Sequence, residues 1–172
     1  MAFEMPDQLE SAVAWASSEK TRGAGVYWAA NPLKDRARSK CKASDVLHAA
    51  LAHADIDPDI DTHGGFKAAR SALTNGALAQ LRQGEWPASV IIDSGNGLQA
   101  LWLYEQSEGD LKLAASINKR LCAAVHGDPG THDVARLLRL PGTWNHPNQS
   151  KLRKGYPSEP SLASVLHCSD VR

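Results

Sequence analysis

Apolar residues recur at helical spacing at Leu9, Ala12, Val13 and Ala16, just behind Pro6 and Asp7, and predict a short first helix. The segment GAGVYWAANP then reads as a strand stopped by Asn31 and Pro32. The run KDRARSKCK after it has no apolar period and reads as a loop. In VLHAALAHADID alanine favours helix, whereas the acidic, proline-stopped end suits a strand that enters an exposed site. We read its second half as strand. Phe66, Ala69, Leu73, Ala77 and Leu81 mark one face of a helix that ends near Gly84 and Pro87.

The clearest β signal follows, in two apolar, β-rich runs, SVIID and LQALWLYE, joined by Ser94-Gly95-Asn96-Gly97. That linker has the chemistry of a tight hairpin turn with positive φ. Leu113, Ala114, Ile117, Leu121 and Ala124 predict another amphipathic helix, followed by the turn GDPGTHD and a short strand in VARLLRLPG. From Ala54 onward the order is β-α-β-β-α-β. An α+β fold is therefore predicted, with a ferredoxin-like (RRM-like) split β-α-β core packed with an N-terminal αβ subdomain. The chain reads as one domain, with residues 1–46 as the αβ part, 47–145 as the core and 146–172 as a polar tail carrying a short final helix near Leu162.

Composition narrows the class of protein. With 172 residues, 42% apolar and 22% charged, the chain can bury one good core. No run approaches the roughly 20 apolar residues of a membrane span, and MAFEMPDQLE lacks a signal-peptide pattern, so a cytoplasmic protein without a membrane partner is expected. Cys41, Cys122 and Cys168 are too far apart for a zinc spacing and read as reduced thiols. Nineteen basic and nineteen acidic residues cancel, which argues against coating nucleic acid by net charge alone. The distribution is uneven. Five of nine residues from Lys34 to Lys42 are basic, while Asp55, Asp57, Asp59 and Asp61 crowd into seven positions. The basic run is either a solvated loop or an anion-binding surface.

Asp55-Ile56-Asp57 places two carboxylates on the same side of a strand, where they can share a hard cation such as Mg²⁺. A solvated acidic turn is the alternative. The apolar lead-in favours the cation, because carboxylates ending a buried strand need positive compensation. Ser94, Gly95, Asn96 and Gly97 offer backbone N–H groups that can cradle phosphate, or simply close a hairpin. Arg136 and Arg139 carry guanidinium forks suited to phosphate, with an ion pair to Asp133 the rival for Arg136. Trp86, Trp102 and Trp144 can stack on bases, but packing is the favoured role, above all for Trp102 in its alternating strand.

Together, HADIDP, VIIDSGNGLQALWLY and GDPGTHDVARLLRLPGTWNHP resemble the motifs of the archaeo-eukaryotic primase superfamily, and within it the RepB-like primase-polymerases of plasmids and phages. The resemblance implies a DNA primase or DNA-directed polymerase that uses Mg²⁺ or Mn²⁺ held by Asp55, Asp57 and Asp128, with Asp133 the fallback for the third acid. It further implies nucleotide binding by Ser94, Gly95, Asn96, Gly97, Gln99, Arg136, Arg139 and Asn145. Gln99 stands where the family usually has a histidine, and glutamine cannot carry that charge. The implied partners are single-stranded DNA template, NTP or dNTP, and a helicase or helical priming domain in trans. A non-catalytic nucleotide- or DNA-binding replication protein on the same fold is the alternative, favoured by Gln99 and opposed by the retained acids.

DNA contact is assigned to Arg36, Arg38, Lys40 and Lys151. Replacing Arg36, Arg38 and Lys40 with alanine is expected to weaken single-stranded DNA binding uniformly across sequences and to flatten its salt dependence. A fluorescence titration over a salt series checks this, and unchanged affinity at low salt returns the segment to a solvated loop.

Overall fold

The computed structural model describes residue 3 and residues 6–35 and 41–169. The elements run α1 (Leu9–Thr21), β1 (Tyr27–Ala29), β2 (Ala49–Ile56), α2 (Ile60–His63), α3 (Phe66–Ala72), a π turn (Leu73–Ala77), α4 (Leu78–Gln83), β3 (Val90–Asp93), β4 (Leu98–Glu108), α5 (Leu111–Ala124), β5 (Leu137–Arg139), β6 (Trp144–Asn145), α6 (Gln149–Arg153), β7 (Ser161–Leu162) and β8 (Ser164–Cys168). Mixed helices and antiparallel sheets fit the α+β expectation.

Strands β2, β4, β3 and β8 form one antiparallel sheet in that order. Alternation splits its side chains between two faces. Ala54, Ile56, Ile91, Leu98 and Ala100 pack against Leu73, Leu81, Cys122 and Val125 on the helical side. Leu51, Ile92 and Leu101 pack against Ala30 and Leu138 from the small β1–β5 ribbon on the other. The helix expected from Phe66 to Leu81 is present, and its apolar positions 69, 73, 77 and 81 fall every four residues. A straight α-helix turns in 3.6 residues, so this spacing drifts. The π turn at Leu73–Ala77 takes up the excess and keeps Ala69, Leu73 and Leu81 buried.

Three sequence expectations are corrected. The strand expected to close the split core, β5, does not join the sheet but pairs with β1, Trp28 opposite Leu138. The helix expected near Leu162 is absent: β7 pairs with β6, and β8 pairs with β3, which would otherwise present an unpaired edge. The short tail helix, α6, lies earlier, where Asn148 caps it by accepting the Lys151 N–H at 2.9 Å. In α5 the buried residues are Ala114, Asn118 and Cys122, so of the expected stripe (Leu113, Ala114, Ile117, Leu121 and Ala124) only Ala114 is buried and the buried line lies one position round from Leu113, Ile117 and Leu121. An asparagine in that line has a specific use.

Strand β2 is the edge of the sheet, yet Ala49, Ala52, His53 and Ala54 are fully buried. Its outer backbone groups are therefore satisfied by side chains and a loop instead of a strand. Asn31 Oδ1 accepts the N–H groups of Ala50 (2.8 Å) and Leu51 (3.3 Å) while its Nδ2 donates to Val134 O at 3.0 Å. Asn118 Oδ1 accepts the His53 N–H at 3.1 Å, and its Nδ2 donates to His132 O at 3.2 Å. The Asp128 N–H closes the row by donating to Asp55 O at 2.7 Å. His53 Nε2 faces Thr131 O at 2.9 Å, and a carbonyl only accepts, so the proton sits on Nε2. Burial pushes this histidine down to about 4, so the ring is neutral at physiological pH.

Loss of an edge cap should rival loss of a core side chain. Asn31→Ala strands buried backbone donors and an acceptor at about 1–3 kcal/mol each, so unfolding stability is expected to fall by about 3 kcal/mol or more. Urea denaturation measures it. A change under about 0.5 kcal/mol, the range of an inconsequential surface substitution, would mean that water replaces the cap.

Candidate active site

The acids end the capped strand. Asp55 lies opposite Gln99 of β4, which in turn lies opposite Ile92 of β3. Asp57 follows immediately after β2, beneath the hairpin turn. A Cβ at Gly97 would come within 2.5 Å of Ile56 O and 3.0 Å of Asp57 Oδ1, so this glycine serves close approach. Gly95 has the positive φ, +89°, foreseen for the turn.

Burial raises the Asp55 carboxyl, and the neighbouring Asp57 charge raises it further, to about 6 from its ordinary 3.8. Lys151 and Arg136 pull the other way, and Asp128 adds to the rise. Asp57 is held by Lys151, whose Nζ donates to Oδ1 at 2.9 Å. Tyr156 lies against the same group: burial pushes its hydroxyl pKa up, and the charges of Asp57 and Asp55 push it further. Lys151, assigned to DNA from sequence, is thus found over a candidate metal ligand.

Asp128 is brought to Asp55 by its backbone, but its carboxylate accepts the Gly130 N–H at 2.8 Å and caps the turn Pro129–Thr131. The fallback, Asp133, pairs with Arg136, the ion pair weighed from sequence; Arg136 also donates to Gly130 O at 2.6 Å. Among the described residues, no three His, Cys, Asp or Glu side chains converge as a metal cluster. The Asp55–Asp57 pair nevertheless fits a hard divalent cation. Its oxygens are the right donors, its charge is under-compensated, and Mg²⁺ ordinarily completes its shell with water and phosphate.

Arg139, at the end of β5, is buried. Its Nη2 donates to the Tyr27 hydroxyl and to Asn145 Oδ1 (2.9 Å), its Nη1 to Trp144 O (3.2 Å), and it lies 4.0 Å over the Tyr27 ring. A Cβ at Gly25 would come within 2.7 Å of Nη1, so any larger residue there would push the guanidinium from this position. Every one of these partners is neutral. Among the described residues no carboxylate pairs with Arg139. Gln99 Oε1 accepts the Arg139 backbone N–H at 3.2 Å and so ties β5 to β4.

The hairpin turn uses most of its own donors. Ser94 N–H donates to Gly97 O (2.9 Å), Gly97 N–H to Ser94 Oγ (3.1 Å) and Gly95 N–H to Asp93 Oδ1 (2.8 Å). Among the turn's side-chain donors, Asn96 Nδ2 is buried without a partner. Asn145 Nδ2 donates to Ser94 O at 2.7 Å and links the turn to the Arg139 cage. Arg36, Arg38 and Lys40 lie outside the described residues. Sequence reasoning missed Tyr27, Asn31, Asn118 and Tyr156. Asn31 carried a signal, a strand-stopping Asn-Pro, that was read only as a stop.

This arrangement places the chain among proteins of known fold. It is similar to the archaeo-eukaryotic primase domain of cyanophage S-2L primase-polymerase, with a TM-score of 0.60 and 17% identity over 91% of this chain and 69% of that one. It is also similar to primase RepB′ (TM-score 0.54, 15% identity, 94% of this chain, 44% of that one). The catalytic domain of RepB′ in complex with initiator DNA matches at a TM-score of 0.50 and 14% identity, with 94% of this chain and 65% of that one covered. The fold is thus that of an archaeo-eukaryotic primase domain. Residues 8–165 match the RepB DNA-primase N-terminal domain, and the chain belongs to that family. No curated protein matches it in sequence. Among the described residues no helix is long and apolar enough to cross a membrane.

The raised Asp55 has a stability consequence. The folded state holds this proton more tightly than the unfolded one, so the contribution of Asp55 to stability is full below about 4 and is lost as pH rises through about 6. Asp55→Asn removes the charge. In thermal or urea unfolding without metal, the variant should match the wild type near pH 4 and exceed it above pH 6 by up to about 3 kcal/mol. Equal stability at pH 7 would show that the charge is already compensated.

Proposed function

We propose that this chain is the nucleotidyl-transfer domain of a template-dependent DNA primase-polymerase that serves replication of a plasmid or phage. The observation that carries the reading is a set of two unmet charges joined through Gln99, which lies opposite Asp55 and accepts the Arg139 N–H. Asp55 is a carboxylate whose ionised form burial and Asp57 oppose, and Arg139 is a buried guanidinium with neutral partners only. A metal–triphosphate complex satisfies both.

In this reading Asp55 and Asp57 hold Mg²⁺ or Mn²⁺, with Asp128 turning from Gly130 to join them. The cation supplies neutralisation of phosphate charge and a more acidic 3′-hydroxyl. Arg139, positioned by Tyr27 and Asn145, gives a fixed positive charge to the phosphates, and its cage removes the cost of ordering it at the moment of reaction. Asn96 Nδ2 donates one hydrogen bond to the triphosphate, and the Gln99 amide, oriented by its contact to Arg139, donates another. Arg136 helps to offset the acids. The chain spans 44% and 65% of the two RepB′ chains it resembles, so a helical priming domain or helicase acting with it belongs to the proposal. So do single-stranded DNA template and NTP or dNTP. The engagement of the Asp128 carboxylate with the Gly130 N–H favours the second reading, a nucleotide- or DNA-binding replication module without catalysis.

Labelled nucleotides, Mg²⁺ or Mn²⁺, and single-stranded DNA with and without primer separate the two. Incorporation is expected in the wild type and is abolished in Asp55→Ala and Asp57→Ala while circular dichroism stays native. Gln99→Ala should raise KM more than it lowers kcat, by about 0.5–1.5 kcal/mol for one hydrogen bond. A wild type that incorporates nothing, but becomes active as Gln99→His, establishes the binding module instead. Loss of activity in Asp133→Asn but not in Asp128→Asn transfers the third acid to Asp133.

A further inference from the structure

Lys151 reaches Asp57 across 94 positions of sequence, from a five-residue helix that joins no sheet. Its ammonium stands 2.9 Å from Asp57 Oδ1 and 4.7 Å from the centre of the Tyr156 ring, which itself packs on Phe66 at 5.0 Å between centroids. The pair is partly open to solvent, with 30% of the Lys151 side chain and 42% of the Asp57 side chain exposed. Its charge is felt at Asp55 as well. One lysine thus stands where the reading above puts a divalent cation.

We propose that Lys151 is the resident counter-ion of this carboxylate pair, yielding Asp57 to the entering cation and then pairing with the phosphates of the nucleotide that accompanies it. The inference rests on the proposed metal site. Lysine suits the exchange better than arginine, because a point charge on a flexible stem forms no bidentate lock with a carboxylate. An ion pair this exposed is weak, and a divalent cation bound by two carboxylates outcompetes it. Once displaced, Lys151 is pushed from the cation by like charge, while Tyr156 still lies along its path and keeps it near the site. Phosphate is then the anion it can reach. The consequence is coupling: Lys151 opposes metal binding alone and favours metal together with nucleotide.

The signs of the two effects differ, which makes the test specific. With the full chain and no DNA, free Mn²⁺ is followed by electron paramagnetic resonance, and dCTP binding in saturating Mn²⁺ by calorimetry. Lys151→Gln should bind Mn²⁺ alone about two- to fivefold more tightly, the range expected for loss of an exposed competing ion pair. It should bind dCTP with Mn²⁺ at least about threefold more weakly, and Lys151→Arg should restore much of that loss. Lys151→Met keeps the stem packed on Tyr156 and gives the same pair of shifts if the glutamine variant melts early. Unchanged or weaker Mn²⁺ binding in both variants overturns the proposal, since a merely structural lysine would not oppose the metal. If the wild type binds Mn²⁺ through Asp57, as shown by its loss in Asp57→Asn, that outcome sinks the lysine exchange alone. If the wild type binds no Mn²⁺, the metal-site reading falls and the exchange with it.

Discussion

Burial and a second carboxylate both work against the charge of Asp55, and much of the architecture serves to keep that residue where it is. Strand β2 is an edge, so its register is not held from both sides by neighbouring strands. Asn31, Asn118 and the Asp128 N–H take the place of the missing strand, and each reaches in from a different part of the chain. The neutral His53, donating to Thr131 O, fixes the loop that presents Asp128. A one-residue slip of β2 would turn Asp55 to the helical core, where its charge has no partner at all. These caps therefore secure the site as well as the fold.

The opposite charge is built with equal care. Arg139 is wedged by Gly25, Tyr27, Trp144 and Asn145, and Gln99 ties its backbone to the strand facing Asp55. Free side chains of opposite sign would meet and cancel. Here the buried guanidinium and the carboxylate do not pair, and in the proposed reading both keep charge available to a ligand that is itself anionic and cation-bound. In that reading such preorganisation costs folding stability and lowers the reorganisation needed at the moment of reaction. In the proposed exchange Lys151 leaves Asp57, while Arg139 stays in its cage.

Local pattern made β2 with its acids, the β3–β4 hairpin, the long helical segment from Phe66 and α5 legible, because each depends on periodicity or turn chemistry within a few residues. The partner of β5 was not legible. Leu137, Leu138 and Arg139 are as apt for one edge as another, and the choice rests on β2 being already capped by asparagines that carry no strand signal. The short helix expected near Leu162 gives way to strand because pairing with the open edge of β3, and not local pattern, decides the form of Ser164–Cys168. Within the site, Asp55, Asp57 and Arg139 could be named from spacing and resemblance, but the company they keep could not. Lys151 over Asp57, Tyr27 under Arg139 and Asp128 turned to Gly130 are products of tertiary packing over long sequence separations.

The central claim is that, without a cation, Asp55 holds its proton up to about pH 6, and the protons released when metal binds below that pH report this directly. Calorimetry of Mn²⁺ binding in buffers of different ionisation enthalpy, from pH 5 to pH 8, counts them. With Asp55 raised to about 6, release should approach one proton near pH 5, stand at about half near pH 6 and vanish by about pH 8. Binding that releases no proton between pH 5 and 6 would contradict the account, because it would mean that the carboxylate is already charged before the metal comes.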